Sequence, residues 1–261
     1  WVTRHKATLA RSIKISLPVP ALKTMLPTIS SQRGFTLIEM AIVLVILGFL
    51  LSGILQSLSL QADAQAYNKT RTALDNAKEA LLGFVMTNGR LPCPATSISA
   101  GFEAPLGGGT CTSASGYLPA ATLNITPVDN NGYALDGWSS NPSNRLRYVV
   151  STTNANMFTT SINNLDAIPD LKVCSSADGI SGSSCGASNT TTLANSPVAV
   201  IVSLGKNAGT GGISSDEAEN LDGDKFFIAH APSVTPVFDD QVTWLSYPIL
   251  AGRLVAVGKL P

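Results

Sequence analysis

The chain has 261 residues, with 17 basic and 17 acidic residues and two histidines, and 13% of its residues are charged. A charge balance of zero with so few cations excludes a general nucleic-acid groove, whose affinity rests on phosphate neutralisation by Lys and Arg. Apolar residues make up 44% of the chain, enough for a sizeable core, and four cysteines leave room for a disulfide framework.

The charges are unevenly placed. Residues 1–34 carry Arg4, Lys6, Arg11, Lys14, Lys23 and Arg33 and no acid, so the chain from Phe35 onward holds eleven basic against seventeen acidic residues, a net charge of −6. Phe35 to Leu55 follows as an apolar run of about the 20 residues that cross a bilayer. The basic flank predicts that its N-terminal side stays cytoplasmic. One carboxylate, Glu39, interrupts the run near its start. An ionised side chain at the bilayer centre costs roughly 2.5–3.5 kcal/mol on insertion scales, so an acid there needs a use and a partner.

Arg33-Gly34-Phe35-Thr36-Leu37-Ile38-Glu39 resembles the processing site of type IV prepilins and of the pseudopilins of type II secretion. The resemblance covers about six residues and the following helix. It implies that a prepilin peptidase cuts after Gly34 and methylates the new amino terminus at Phe35. It further implies that Glu39, then the fifth residue, pairs with the terminal amine of an adjacent subunit during assembly. The expected fold is α+β: a long N-terminal transmembrane spine helix with a globular antiparallel β-sheet head. Residues 1–34 would be a cleaved leader, 35–60 the transmembrane half of the spine, 61–89 its amphipathic periplasmic half and 90–261 the head. A leader running from Trp1 to Gly34 is long for this motif, and Met25 would open a short one. A conventional secretory signal competes, with Met40 to Leu51 as its apolar segment and Ala62-Asp63-Ala64 as a small-residue cleavage site. Glu39 opens that apolar stretch, and the helical pattern continues through the supposed cut.

Beyond the apolar run, Ala62, Ala66, Ala73, Leu74, Ala77, Leu81 and Val85 recur at helical spacing, opposite Lys69, Arg71, Asp75, Lys78 and Glu79. Arg71 and Asp75, four apart, are placed for a weak pair. Asn88-Gly89 supplies a C-terminal stop with Pro92 just past it. An unbroken helix from Phe35 to Thr87 would be roughly 80 Å long. Gly48 and Gly53 lower helix propensity near its middle, where a bend or unwinding competes with ordinary membrane-helix packing.

From Arg90 the composition turns to Ser, Thr, Asn, Gly and Pro, and the stretch from there to Pro261 is long enough for one domain. Short strands are predicted at Leu146–Ser151, Leu171–Cys174, Val198–Leu204, Lys225–His230 and Val242–Leu245. A closing helix is predicted from Pro248, with Leu250, Leu254 and Val257 on one face. Asp136-Gly137-Trp138 and Arg145-Leu146-Arg147-Tyr148 resemble a lengthened form of the run that enters the pseudopilin sheet. Cys93, Cys111, Cys174 and Cys185 all fall in the head. Of the three pairings four cysteines permit, the local pairs Cys93 with Cys111 and Cys174 with Cys185 are favoured, each closing a Gly- and Ser-rich loop. No Cys-x-x-Cys pair speaks for zinc.

Gly182-Ser183-Ser184-Cys185-Gly186 fits the Gly-x-Ser-x-Gly pattern, with Asp222 or Asp224 and His230 following in hydrolase order. It lies in a Gly- and Ser-rich loop, without the strand before and helix after that a nucleophile elbow needs, so no enzyme activity is expected. Within the acidic run Ser215–Lys225, Asp216, Glu219, Asp222 and Asp224 are a candidate calcium set, relieving the mutual repulsion of close carboxylates; their spacing is not that of an EF-hand. Some pseudopilins hold a calcium ion in this part of the head, and calcium is the one cofactor considered.

The resemblance implies a subunit that assembles into or primes a type IV pilus or a type II secretion pseudopilus. A mature chain running from Phe35 to Pro261 is large for a principal subunit, which points to a minor one. Its implied partners are the prepilin peptidase, the inner membrane and other pilin or pseudopilin subunits through the spine helix. Its implied location is the inner membrane as a single pass, with the head in the periplasm or in an extracellular filament. The reading from a different class is a membrane-anchored or secreted periplasmic binding protein or hydrolase.

Overall fold

The computed structural model describes residues 34–163, 166–186 and 192–260, with the side chains of 53–58 outside the description. The predicted leader as far as Arg33, Met25 included, lies outside the described residues. The chain divides into two units, 1–51 and 52–261.

Helix α1 (Leu37–Asn88) has 52 residues and belongs to both units. It runs through Gly48 and Gly53 without a break. In the first unit its apolar residues are exposed on every side, from Leu37 at 93% through Leu44 at 64% to Phe49 at 76%. A helix apolar all round has no single core-facing stripe. Among the described residues no helix is long and apolar enough to cross a membrane. The apolar stretch whose side chains are described ends at Ser52, and the remainder of the run read from sequence lies beyond it.

In the second unit α1 becomes one-sided. Leu74, Ala77, Leu81 and Val85 are buried at the helical spacing that the sequence shows, and Leu82 joins them on the same face. The helix stops at Asn88 because Gly89 turns left-handed, φ 68°, and its N–H donates back to the Val85 carbonyl at 2.8 Å.

The remaining elements are β1 (Ser115–Tyr117), α2 (Ala120–Leu123), a 3₁₀ turn at Pro142–Asn144, β2 (Arg147–Val150), α3 (Thr153–Thr160), β3 (Lys172–Cys174), β4 (Thr192–Asn195), β5 (Pro197–Ser203), α4 (Ser215–Glu219), β6 (Phe226–Ile228), β7 (Ser233–Val234), β8 (Val237–Phe238), β9 (Gln241–Ser246) and α5 (Tyr247–Ala256). An antiparallel sheet of order β1-β2-β5-β9 packs on the α1 stripe, with Tyr148, Val150, Ile201 and Leu245 facing the helix. The opposite face, through Val149, Val200 and Val202, packs on Leu171, Val173 and Phe227. β5 is buried along its whole length, which is why Pro197-Val-Ala-Val-Ile-Val202 reads as a continuous apolar run rather than an alternation.

The head is therefore not a single antiparallel sheet. A second sheet of order β4-β3-β6 pairs β3 with β4 antiparallel and with β6 parallel, and β7-β8 form a small hairpin. A parallel pair needs a long crossover, supplied here by the whole stretch from Ser175 to Lys225. Strands β1, β4, β7 and β8 are two to four residues long and carry no alternation that a sequence reading could use. In α5, Leu250 and Leu254 are fully buried, whereas Val257 is the residue that ends the helix and is 40% exposed. Val257 therefore leaves the face predicted for it.

Two disulfides close loops in the head, Cys93–Cys111 and Cys174–Cys185. With all four sulfurs in disulfides, none remains as a zinc ligand. The first loop is tied to the end of α1 by a bidentate pair, Arg90 to Glu103 at 2.7 and 2.8 Å, in which the same carboxylate accepts the N–H groups of Cys93 and Gly107. That pair is nearly buried, and its full set of donors is what makes such burial tolerable.

The loop through Gly137 docks directly on α1. Gly137 N–H donates to Thr70 Oγ1 at 2.9 Å, and the Thr70 hydroxyl donates to the Ala66 carbonyl at 2.9 Å. A Cβ at Gly137 would sit 2.3 Å from that carbonyl oxygen and 2.6 Å from Lys69 Cβ. Gly137→Ala is expected to force the loop off the helix and lower stability by about 1–3 kcal/mol, read by chemical denaturation. At the start of α3, Asn154, Ala155 and Asn156 form a left-handed turn, with Ala155 at φ 55°. Asparagine tolerates that conformation and alanine does not. Ala155→Gly is expected to raise stability by about 1 kcal/mol in the same assay.

Candidate functional site

Gly34, Phe35 and Thr36 precede the first turn of α1 in non-helical conformation, and Phe35 is 83% exposed. Among the described residues nothing lies within 4 Å of the position a Cβ on Gly34 would take, and Phe35 beside it is exposed. Thr36 and Glu39 form a reciprocal cap. Thr36 N–H and its hydroxyl donate to Glu39 Oε2 at 2.9 and 3.0 Å, and Glu39 N–H donates to Thr36 Oγ1 at 3.3 Å. Threonine followed three residues later by glutamate, just before an apolar run, is the sequence signature of this capping box. Thr36 is thus legible from the sequence as a partner of Glu39, a role that the resemblance to the processing site does not itself imply.

The cap satisfies part of what Glu39 needs. Its carboxylate also sits in the first helical turn, where the helix dipole favours an anion. Among the described residues it meets no cation. Leu37, Ile38, Met40, Ile42 and Val43 flank it along the chain, all exposed.

In the head, the acidic run is split by the fold. Glu219, Asp222 and Asp224 each bring a carboxylate oxygen within 4.8 Å of the others. Burial and then the neighbouring carboxylates push Glu219 upward from its ordinary value, and Asp224 rises for the same leading reason. Three carboxylates so placed have the chemistry of a hard divalent-cation site. Asp216 does not join them. It is buried, accepts Ala177 N–H at 2.7 Å through Oδ1, and pairs through Oδ2 with His230 Nε2 at 3.1 Å. The four-residue calcium expectation therefore narrows to Glu219, Asp222 and Asp224.

His230 has neither nitrogen left for a serine. Nε2 faces Asp216, Nδ1 faces the Ala231 carbonyl at 2.8 Å, and the ring stacks on Phe238 at 3.8 Å. Its acid is Asp216 rather than Asp222 or Asp224. In the Gly182–Gly186 loop, the Ser184 hydroxyl donates to the Ser181 carbonyl and Cys185 is held in a disulfide. A base with one free nitrogen beside a nucleophile is the minimum of that chemistry, and this constellation lacks it.

A second acidic group, Glu217, Asp239 and Asp240, escaped the sequence reading because Glu217 stands far along the chain from the other two. Glu217 is buried and accepts from Asn207 Nδ2, Ile213 N–H and Asp239 N–H. Asn220 Nδ2 donates to Asp240 Oδ2 at 2.9 Å and also to the Ile228 carbonyl. With Glu217 so fully engaged, the cluster ties the α4 loops to the start of β9.

Burial, with Glu217 adding repulsion, pushes Asp239 up to about 6 and Asp240 up to about 7, from an ordinary value of 3.8. The folded chain then binds more protons than the unfolded chain between about pH 4 and pH 7, so these two groups remove stability as the pH rises through that window. Asp240→Asn keeps an acceptor for Asn220 and has no proton to lose. Relative to the wild type, its thermal midpoint is expected to fall less between pH 4 and pH 7, measured by circular dichroism at each pH.

Residues 29–55 match the family model for the prokaryotic N-terminal methylation motif. No curated protein and no solved structure gives a significant match to the chain. The motif, in which the exposed Gly34–Phe35 bond and the capped Glu39 both lie, is typical of type IV pilins and pseudopilins, and it supports a pilin- or pseudopilin-type precursor, processing by a prepilin peptidase, and assembly with other pilins.

Proposed function

We propose that the protein is a minor pilin-like subunit, which a prepilin peptidase cuts between Gly34 and Phe35 and methylates at Phe35 before assembly into, or priming of, a type IV pilus or a type II secretion pseudopilus. The observation that carries this reading is Glu39: a carboxylate at the head of a helix that is apolar on all sides, capped by Thr36 and, among the described residues, facing no cation. In lipid that arrangement is costly. The terminal amine of a neighbouring subunit, created by the cut, supplies the missing charge and makes the assembled register the favoured one. Residues 35–60 then serve as the membrane-held half of the spine, and the stripe from Leu74 to Val85 carries the head.

The exposed apolar half of α1 gives the same reading a second support. Leu37 through Leu51 find no core among the described residues of their own chain. Lipid before assembly, and the spine helices of neighbours after it, are the two surroundings that would cover them.

The test is the N-terminal sequence and intact mass of the protein recovered from membranes of cells that contain a prepilin peptidase. The expected result is a methylated Phe35 start. A start near Gln65 or Ala66 would mean an ordinary secreted protein and end the filament reading, and an uncut leader would leave an anchored periplasmic domain. Glu39→Leu is expected to leave the head folded and the cut intact while abolishing incorporation into filaments, read by shear fractionation and immunoblotting.

A further inference from the structure

We infer that the edge of β9 and the groove beside it form a docking site for an extended, acidic segment of a partner protein, which would add a strand to the four-stranded sheet. The site lies wholly within the second unit and does not depend on how the N-terminus is processed.

The two edges of that sheet are unequal. On the β1 side, Ala95 bridges Tyr117 with reciprocal backbone bonds of 2.8 and 2.9 Å, so that edge is covered. On the other side β9 is the last strand, hydrogen-bonded to β5 alone among the described strands. Folded proteins protect such edges with proline, charge, bulges or a covering loop. Gln241-Val-Thr-Trp-Leu-Ser246 has no proline and no charged residue. Apart from one irregularity opposite Leu245 and Ser246, where β5 shifts register between Pro197 and Ala199, this six-residue edge presents a row of backbone donors and acceptors that another extended backbone matches.

A groove of about 390 Å³ runs along it, with Tyr67, Arg71 and Lys78 on the α1 wall and Gln241, Thr243 and Trp244 on the strand wall. Gln241 is 7% exposed, and its Nε2 is buried without an acceptor. A buried amide donor left unpaired is destabilising, and a carbonyl or carboxylate entering the groove would relieve it. Arg71 and Lys78 form no ion pair among the described residues. Seven positions separate them, about 10 Å along the helix. Asp75 stands between them, and Asp240 at the groove's end is bonded to Asn220. The lining sets Arg71 and Lys78 against Asp75 and Asp240, and because burial raises Asp240 to about 7 the cations are in modest excess near neutral pH, which favours an occupant with carboxylates on one face. An extended strand presents same-face side chains about every 7 Å, within reach of both long cationic side chains. A second copy of this chain, pairing β9 to β9, would bring two such cationic walls together and is disfavoured.

The test uses the full-length protein in detergent micelles and a fluorescently labelled, capped octapeptide alternating valine and glutamate, with binding read by anisotropy. Saturable binding is expected. It should weaken by about tenfold or more, the scale of one to two charge-assisted contacts, when lysine replaces glutamate in the peptide, when the pairing-edge amides are N-methylated, or in the Arg71→Glu/Lys78→Glu protein. Both protein positions are on the helix surface, and the peptide variants probe the same contacts without touching the fold. No saturable binding at millimolar peptide would overturn the proposal, as would binding indifferent to N-methylation or to charge. Self-association of the protein through β9 that excludes the peptide would overturn it in favour of a second copy.

Discussion

Burial of one stripe of α1, Leu74, Ala77, Leu81 and Val85, against Tyr148, Val150, Ile201 and Leu245 is the contact on which the head depends. Without the helix the inner face of the four-stranded sheet would be exposed, and without the sheet the stripe would have nowhere to go. Each buried Leu or Val contributes about 1.5–3 kcal/mol relative to exposure. The sheet also has a second face to cover, and the β4-β3-β6 layer does that with Leu171, Val173 and Phe227. β5, sandwiched between the two, is apolar from Pro197 to Val202 because neither of its faces meets water.

Polar contacts then fix where the loops rest on this layered core. The Arg90–Glu103 pair fastens the first disulfide loop at the point where α1 ends. Arg145 pairs with Asp129 at 2.7 Å and lies over Tyr133 at 4.1 Å, holding the loop that leads to Gly137. Glu217, Asp239 and Asp240 gather the α4 loops onto the start of β9. Glu103, Asp129 and Glu217 are buried or half-buried charges each held by several donors, an arrangement that adds less to net stability than to the uniqueness of the loop position. Asp239 and Asp240 keep a cost at neutral pH, since burial and, beyond it, the nearby Glu217 carboxylate oppose their ionisation.

The two halves of α1 show how one element serves two environments. Up to Leu51 its surface is apolar on every side, so its lowest-energy surroundings lie outside the chain. From Leu74 it is apolar on one side, so its surroundings are its own head. Glu39 belongs to the first regime. The Thr36 cap gives its carboxylate hydrogen bonds, and among the described residues no cation gives it a countercharge; in the function proposed above a neighbouring subunit would supply one.

What the sequence determined by itself was everything that depends on neighbours along the chain. The Gly34-Phe35 to Glu39 segment, the α1 stripe and its stop at Gly89, the strands around Tyr148, Val173, Ile201, Phe227 and Thr243, and the α5 residues Leu250 and Leu254 all follow from local spacing, and the cap at Thr36 could have been read the same way. Tertiary structure decided what depends on residues far apart. It paired β3 with β6 in parallel across the long connection from Ser175 to Lys225, and drew Asp216 out of the acidic run to His230. It set Glu217 beside Asp239 and Asp240, and left the outer edge of β9 beside Arg71 and Lys78. Local periodicity fixes which face of an element is apolar, but only packing chooses which distant element covers that face and which polar groups meet at its rim.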